Sequence, residues 1–421
     1  MLTGNQSKSL DHYRQYKILI LNDAASIHTL FQEPVDELET ALEKQQSNLA
    51  HEIYTTISDF KSKEGIPTNI QIKELQNKLN KFNRRKKNMK KILVLLFASL
   101  FVSISSIASA DLVFALVPKA MNNPFFDLAR DGCKQAESEI DGVECLYIGP
   151  GEHTEQEQVQ IVQDLISKGV DGIAVASSNA PAMAKAVEGS GIPVITWDSD
   201  FLGEDYGLRE AYVGTKNYDI GVNLAEITMM LKPNGGTICI QSGGAAAANH
   251  NERMSGIRDT IAGRADGGSY PSAALNGENG WTEAEGCPLY TNDDFPLSVQ
   301  QMEDILAKHP DLTAFVPTGG FPQFVSKAFG RVTEKHAERI RTLHTAVVIA
   351  DTLPMQMDDL AAGRTHGQVG QQPYNMGYKA MYVLKDIIDG KALTFDNPSN
   401  NAIYTGLDVC MRPNIESCIA G

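Results

Sequence analysis

Carboxylates, amides, two basic side chains and several aromatic rings recur in this chain at one kind of place, directly after a short apolar run. Asp198, Ser199 and Asp200 follow PVITW (193–197), which ends in Trp197. Lys119, Asn123, Phe125 and Phe126 lie in the stretch after DLVFALV (111–117), and Arg253 lies in the stretch after GTICIQ (236–241). Phe295 comes after CPLYT (287–291), Thr318 after LTAFVP (312–317) and Asp351 after TAVVIA (345–350); Gln371 follows a last short segment from His366 to Val369. This mixture suits a polyol, whose hydroxyls need paired donors and acceptors and whose C–H faces pack on aromatic rings. Catalysis is not indicated. No nucleophile–base pattern or metal-ligand spacing is present, and the glycine- and alanine-rich stretch 243–248 holds neither GxGxxG nor GxxxxGK[ST], so no enzyme, cofactor or metal is expected.

Each residue also has a plainer role. Asp198 fits a helix N-cap, Arg253 a solvated helix charge, and Phe125, Phe126 and Trp197 the core. Lys119 fits a pocket or its rim equally well. Phe321, Asn251 and Gln241 are weaker candidates.

The elements that must position these groups are strands and helices in alternation. The other two apolar runs are VECLYI (143–148) and DGIAVA (171–176). Helical patterns span 125–138, 155–168, 180–188, 217–231, 297–308 and 374–389; in 155–168, Val159, Val162, Leu165 and Ile166 fall at helical spacing. Val- and Ile-rich strands alternating with such helices imply βαβ units and parallel sheets. The pattern pauses at 198–213 and restarts at 236, which predicts two doubly wound, Rossmann-like α/β lobes with sheets of four or five strands each. In such sheets ligands sit beyond the carboxyl ends of the strands, where the polar groups lie.

At 421 residues, 42% hydrophobic and 21% charged, the chain is neither a mini-fold nor disordered. Net charge is −15, and residues 111–421 alone hold 22 basic and 41 acidic side chains, or −19. That excludes a general binder of phosphate backbones, so no nucleic acid partner is expected. Met89-Lys90-Lys91, an apolar run from Ile92 to Val102 and Ala108-Ser109-Ala110 read as a signal peptide over 89–110, cleaved after Ala110. The apolar run is about half the ~20 residues that span a bilayer. Residues 1–88 read as an N-terminal extension from a start called too early. All six cysteines (133, 145, 239, 287, 410 and 418) follow the cleavage point, as disulfides of an oxidising compartment would. Six allow 15 pairings; proximity favours Cys133–Cys145 and Cys410–Cys418, leaving Cys239–Cys287.

The motifs NNPFF (122–126), GIPVITWDSD (191–200), YVGTKNYDIG (212–221), RMSGI (253–257) and QQPYNMG (371–377), in this order over 111–421, resemble the pentose/hexose-binding family of periplasmic solute-binding proteins, the ribose-binding type that serves ABC transporters. The resemblance implies a type I periplasmic binding protein fold: two lobes joined by a three-segment hinge. Lobe 1 would comprise 111–213 plus 371–400, lobe 2 214–370 plus 401–421, with crossings near 212–215, 369–372 and 398–402. It implies ligand contacts from Asn123, Phe125 and Phe126, a carboxylate at Asp198 accepting from two hydroxyls, a donating fork at Arg253, a completing ring at Phe295, and polar contacts from Asp351 and Gln371. Departures stand at Ser199, where the ribose type has Arg, at Thr318, where Asn is frequent, and at Lys119, where a small hydroxyl residue is usual. The last is similar to the rhamnose- and autoinducer-binding branches. The expectation is an exported, periplasmic, monomeric protein that captures a monosaccharide or polyol and delivers it to a membrane permease. A receptor-presenting sensor and a sugar-responsive transcription regulator are the alternatives.

Overall fold

The computed structural model describes residues 112–418. The expected signal peptide and the 1–88 extension lie outside the described residues, as do Asp111 and 419–421. Eight of the strands run where apolar segments are densest: β1 Leu112–Val117, β2 Val143–Tyr147, β3 Gly172–Val175 and β4 Val194–Trp197 are followed by a short β5, Tyr212–Gly214. Then come β6 Gly236–Ser242, β7 Trp281–Glu283, β8 Leu289–Tyr290, β9 Ala314–Pro317, β10 Ala346–Ala350 and β11 Gly367–Gly370. The last two, β12 Ala402–Tyr404 and β13 Asp408–Cys410, return one to each sheet.

The first sheet has the order β12-β5-β4-β3-β1-β2, the second β13-β11-β10-β9-β6-β7 with β8 also on β6. Every pairing is parallel except β11 with β13. Both sheets therefore wind the same way, outward from β1 and from β6, and each brings its strand carboxyl ends to one side. Sheets of six and seven strands replace the expected four or five. The surplus consists of three-residue strands, β5, β7, β12 and β13, whose pairing comes from neighbours and not from an apolar run of their own.

The chain passes between sheets at 215–216, 371–372 and 405–407. The third crossing corrects the sequence reading, which placed 401–421 wholly with lobe 2: Ala402–Tyr404 runs beside Tyr212–Gly214 in the first sheet. Two crossings adjoin, since the Thr405 amide donates to the Gly214 carbonyl at 2.8 Å and the Thr215 hydroxyl to the Gly406 carbonyl at 3.2 Å. Cys133–Cys145 and Cys239–Cys287 tie a helix or loop to a strand, and Cys410–Cys418 ties β13 to the final turn.

Helix starts follow local chemistry. Asn123, Asn179 and Asp294 cap the helices Pro124–Glu139, Ala180–Val187 and Phe295–Lys308 through side-chain oxygens, each with Pro in the first two positions. The helix Ala248–Ala262 is not among the helical patterns read from the sequence. Twelve of its residues are buried, including Asn249, His250, Asn251 and Arg253, so it carries no apolar stripe to read.

In each lobe two helices cross at glycines. A Cβ on Gly132 would strike the Tyr374 carbonyl and one on Gly377 the Ala129 carbonyl; in the other lobe Gly221 meets the Arg253 carbonyl and Gly256 that of Tyr218. The second crossing sets the depth of the helix that carries Arg253. Gly256→Ala is expected to lower stability by about 1–3 kcal/mol through overpacking, read as a lower denaturation midpoint with unchanged slope; an unchanged midpoint contradicts this packing.

Candidate functional site

Five charged side chains from both lobes meet at the strand carboxyl ends. Lys119, after β1, is 1% exposed, and its Nζ donates to Asn249 Oδ1 at 2.8 Å. Asp198, after β4, receives Asn249 Nδ2 at 3.4 Å and lies 3.6 Å from Arg253 Nη2. Arg253 donates Nε to Asn217 Oδ1 and Nη1 to the Thr318 carbonyl, both at 2.9 Å. Asp351, after β10, accepts the Gly320 amide on Oδ2 and Gln371 Nε2 on Oδ1, again at 2.9 Å. Asp293 is the fifth, buried after β8.

The backbone is shaped to aim these carboxylates. Asp198, Asp293 and Asp351 all have positive φ, at 56°, 57° and 74°. A non-glycine residue held there stores strain, which is a feature of functional sites. The turn at each strand end redirects the side chain beyond the sheet.

Burial dominates the electrostatics. It pushes the Lys119 ammonium below its ordinary range, against the pull of Asp198, Asp293 and Asp351. It raises the Asp198 carboxyl, against Lys119 and Arg253. His250 is held well below 6.5 by burial and by the nearby Lys119 and Arg253, so its ring is neutral. His250 Nδ1 lies 3.0 Å from the Thr318 hydroxyl, and its Nε2 lies 4.0 Å from Asp293.

Several polar atoms here are buried without a hydrogen-bond partner: Arg253 Nη2, Asp293 Oδ1 and Gln371 Oε1, with the hydroxyls of Ser199 and Ser242. An orphaned buried polar atom costs free energy unless something hydrogen-bonds to it. The set contains both donors and acceptors, as a hydroxyl-bearing molecule requires.

The aromatic residues divide. Phe125 and Phe126 are buried with ring centroids 5.3 Å apart, in one apolar cluster with Leu353 of the second lobe. Phe324, also of that lobe, packs on this cluster, and Phe295 meets Phe324 edge-on at 5.3 Å. Phe295 therefore belongs to the apolar seam between lobes. Trp197 takes the plainer of its two roles: it is fully buried, donates its indole N–H to the Ala174 carbonyl at 3.2 Å, and backs Phe126 edge-on at 5.5 Å. It is a core residue supporting the wall. Asn123 spends its side-chain oxygen on the Phe125 amide as a helix cap, and Thr318 offers its carbonyl to Arg253 and its hydroxyl to His250.

Sequence reasoning passed over Asn249, which links Lys119 to Asp198 across the cleft, and His250, Asn217 and Asp293. The run Ala-Asn-His-Asn at 248–251 was the available signal. The weaker candidates hold local structure: Gln241 donates to the Ser298 carbonyl at 2.9 Å, Asn251 to the Ala245 carbonyl at 2.9 Å, and Phe321 packs on His250 at 5.3 Å. No group of three His, Cys, Asp or Glu side chains among the described residues is placed to hold a metal ion.

A family model described as a periplasmic binding protein domain matches residues 114–392. The chain belongs to the periplasmic binding protein family. Curated relatives of this periplasmic binding protein include the D-allose-binding periplasmic protein of Escherichia coli, 24% identical over 70% of this chain and 91% of that one. Another is the ribose import binding protein of Salmonella typhimurium, 24% identical over 74% of this chain and 97% of that one. Among solved structures, an ABC transporter solute-binding protein from Burkholderia graminis in complex with D-arabinose is 29% identical with TM-score 0.61, covering 73% and 98% of the two chains. A glucose-galactose binding protein from Geobacillus stearothermophilus is 26% identical with TM-score 0.59, covering 72% and 98%. These relatives are binding and transport proteins, not enzymes.

His250 gives the periplasmic binding protein a defined acid sensitivity. Its folded pKa lies below the unfolded value, so it contributes nothing above pH 6.5 and destabilises as pH falls below 6.5, where only the unfolded chain takes the proton. His250→Gln is expected to lose less stability than the parent between pH 6.5 and pH 5 in denaturant titrations; parallel curves for the two contradict a neutral buried imidazole.

Proposed function

We propose that this protein captures a monosaccharide or polyol between its two lobes and delivers it to the membrane permease of an ABC importer, acting as a monomer in the periplasm. The observation that carries the proposal is the buried cluster of Lys119, Asp198, Arg253, Asp351 and Gln371, supplied by both lobes and retaining unpartnered donors and acceptors. A sugar hydroxyl both donates and accepts, so it answers both kinds of orphan. Asp198 would accept from two hydroxyls, the Arg253 fork would donate to hydroxyl or ring oxygens, and Gln371 would accept on Oε1. Phe125, Phe126 and Phe295 would supply the apolar faces that pack on sugar C–H groups.

Ligand contacts from both sides favour the lobes closing on each other about the crossings at 215–216, 371–372 and 405–407. A closed form presents a surface that the open form lacks, which a permease reads. The relatives named for allose, ribose, arabinose, glucose and galactose agree on the ligand class. Lys119 in place of a small hydroxyl residue adds a strong donor, which favours a ligand with an acceptor at that end.

A thermal-shift screen with D-ribose, D-allose, D-arabinose, D-galactose, L-rhamnose and myo-inositol tests the proposal. At least one is expected to raise the melting temperature in a concentration-dependent way. Asp198→Asn should weaken that ligand on the order of 100-fold, since breaking a buried charged hydrogen-bond set costs ~2–5 kcal/mol. Undiminished affinity in the variant would overturn the assignment of the site.

A further inference from the structure

At the first crossing one neutral side chain bonds to a charged cleft residue from each lobe. Asn217 opens the helix Asn217–Leu231, directly after the crossing at 215–216, and is 2% exposed. Its Oδ1 accepts Arg253 Nε at 2.9 Å. Its Nδ2 lies 3.3 Å from the Asp198 carbonyl of the first lobe and 3.1 Å from the Tyr212 hydroxyl. That hydroxyl in turn lies 3.0 Å from the Asp198 carbonyl and 2.8 Å from the carbonyl of Thr215, on the crossing itself. A Cβ on Gly214 would come 2.2 Å from the Tyr212 hydroxyl oxygen, so only a glycine there admits it.

Both ends of this relay act on groups that need holding. Asp198, at φ 56°, is the centre of a γ-turn that the Ser199 amide closes onto the Trp197 carbonyl. That backbone conformation is strained, and Tyr212 and Asn217 converge on the Asp198 carbonyl within it. Arg253 has its Nε on Asn217 and its Nη1 on the Thr318 carbonyl, two neutral acceptors. Together they fix the plane of the guanidinium and leave Nη2, which has no hydrogen bond, on the side of Asp198. A neutral amide also leaves the charge of Arg253 uncancelled, where a carboxylate at 217 would claim it.

We propose that Asn217, assisted by Tyr212, is a positioning residue for sugar capture: it orients Asp198 on one lobe and Arg253 on the other from the pivot between them, and acts through those two. The inference rests on the assignment of Asp198 and Arg253 as sugar contacts. A bond beside the pivot changes least as the lobes turn, so the two contacts keep their mutual alignment through closure.

Calorimetric titration of the full chain with D-ribose, D-allose, D-arabinose, D-galactose, L-rhamnose and myo-inositol, each in turn, tests this. Asn217→Leu, which nearly preserves volume, is expected to weaken every compound that binds the parent about 10- to 100-fold, and Tyr212→Phe about 3- to 10-fold, as the loss of buried hydrogen bonds to charged and neutral groups does. A role in stability alone would lower the melting temperature of the unliganded protein and leave the Kd, measured well below that temperature, unchanged. The same N217L change on an Arg253→Lys background, whose ammonium cannot reproduce the fork, should cost less than it does in the parent. A parent-like Kd in N217L, or in Tyr212→Phe should N217L not fold, would overturn the proposal while leaving the sugar site in place, as would an equal loss in both backgrounds. Failure of all six compounds to bind the parent would instead overturn the assignment of the cleft, and this inference with it.

Discussion

Charge taken out of water governs this molecule. Lys119, Asp198, Arg253, Asp293 and Asp351 are all buried where the two lobes meet, and ions so placed are stable only when paired and hydrogen-bonded. The pairs cross the cleft: Lys119 reaches Asn249, and Asp198 faces Arg253 and Asn249. The first lobe's Lys119 and Asp198 find their partners on the second lobe, while Arg253 and Asp351 also bond within their own. The same geometry that makes the lobes depend on each other leaves Arg253 Nη2, Asp293 Oδ1 and Gln371 Oε1 open to a molecule between them.

The scaffolding around this cluster is apolar and rigid. Trp197 and Phe126 back the first-lobe wall, and Leu353, Phe324 and Met355 carry second-lobe surface onto the same apolar cluster. The helix bearing Asn249, His250 and Arg253 is seated by a glycine crossing, so its polar face is presented at a fixed depth. The proposed capture between the lobes would turn on the three crossings.

Much of this was legible in the residues. Val- and Ile-rich runs marked the principal strands, because parallel strands buried on both faces read as unbroken apolar segments. The rule that ligands sit at strand carboxyl ends then pointed to Asp198, Asp351 and Lys119 before any coordinates, and the cysteine spacing favoured the three disulfides that are present. What escaped has physical reasons. Strands of three residues, such as Ala402–Tyr404, form because a neighbour offers a ladder, so the third crossing was misplaced. The helix 248–262 is buried nearly all round, with polar residues turned to the cleft, and so shows no amphipathic period. Asn249 carries no charge to draw attention, yet it bridges both lobes. Trp197 is the last residue of β4 and points into the core, whereas Asp198 stands beyond the strand at φ 56°.

The most direct measurement is a crystal structure of the protein with the monosaccharide or polyol that stabilises it most. The account predicts the ligand between the lobes, with Asp198 accepting from two of its hydroxyls, Arg253 Nη2 and Gln371 Oε1 both engaged, and Lys119 on one of its acceptors. A ligand held elsewhere, with Asp198 still facing only Arg253 and Asn249, would contradict it.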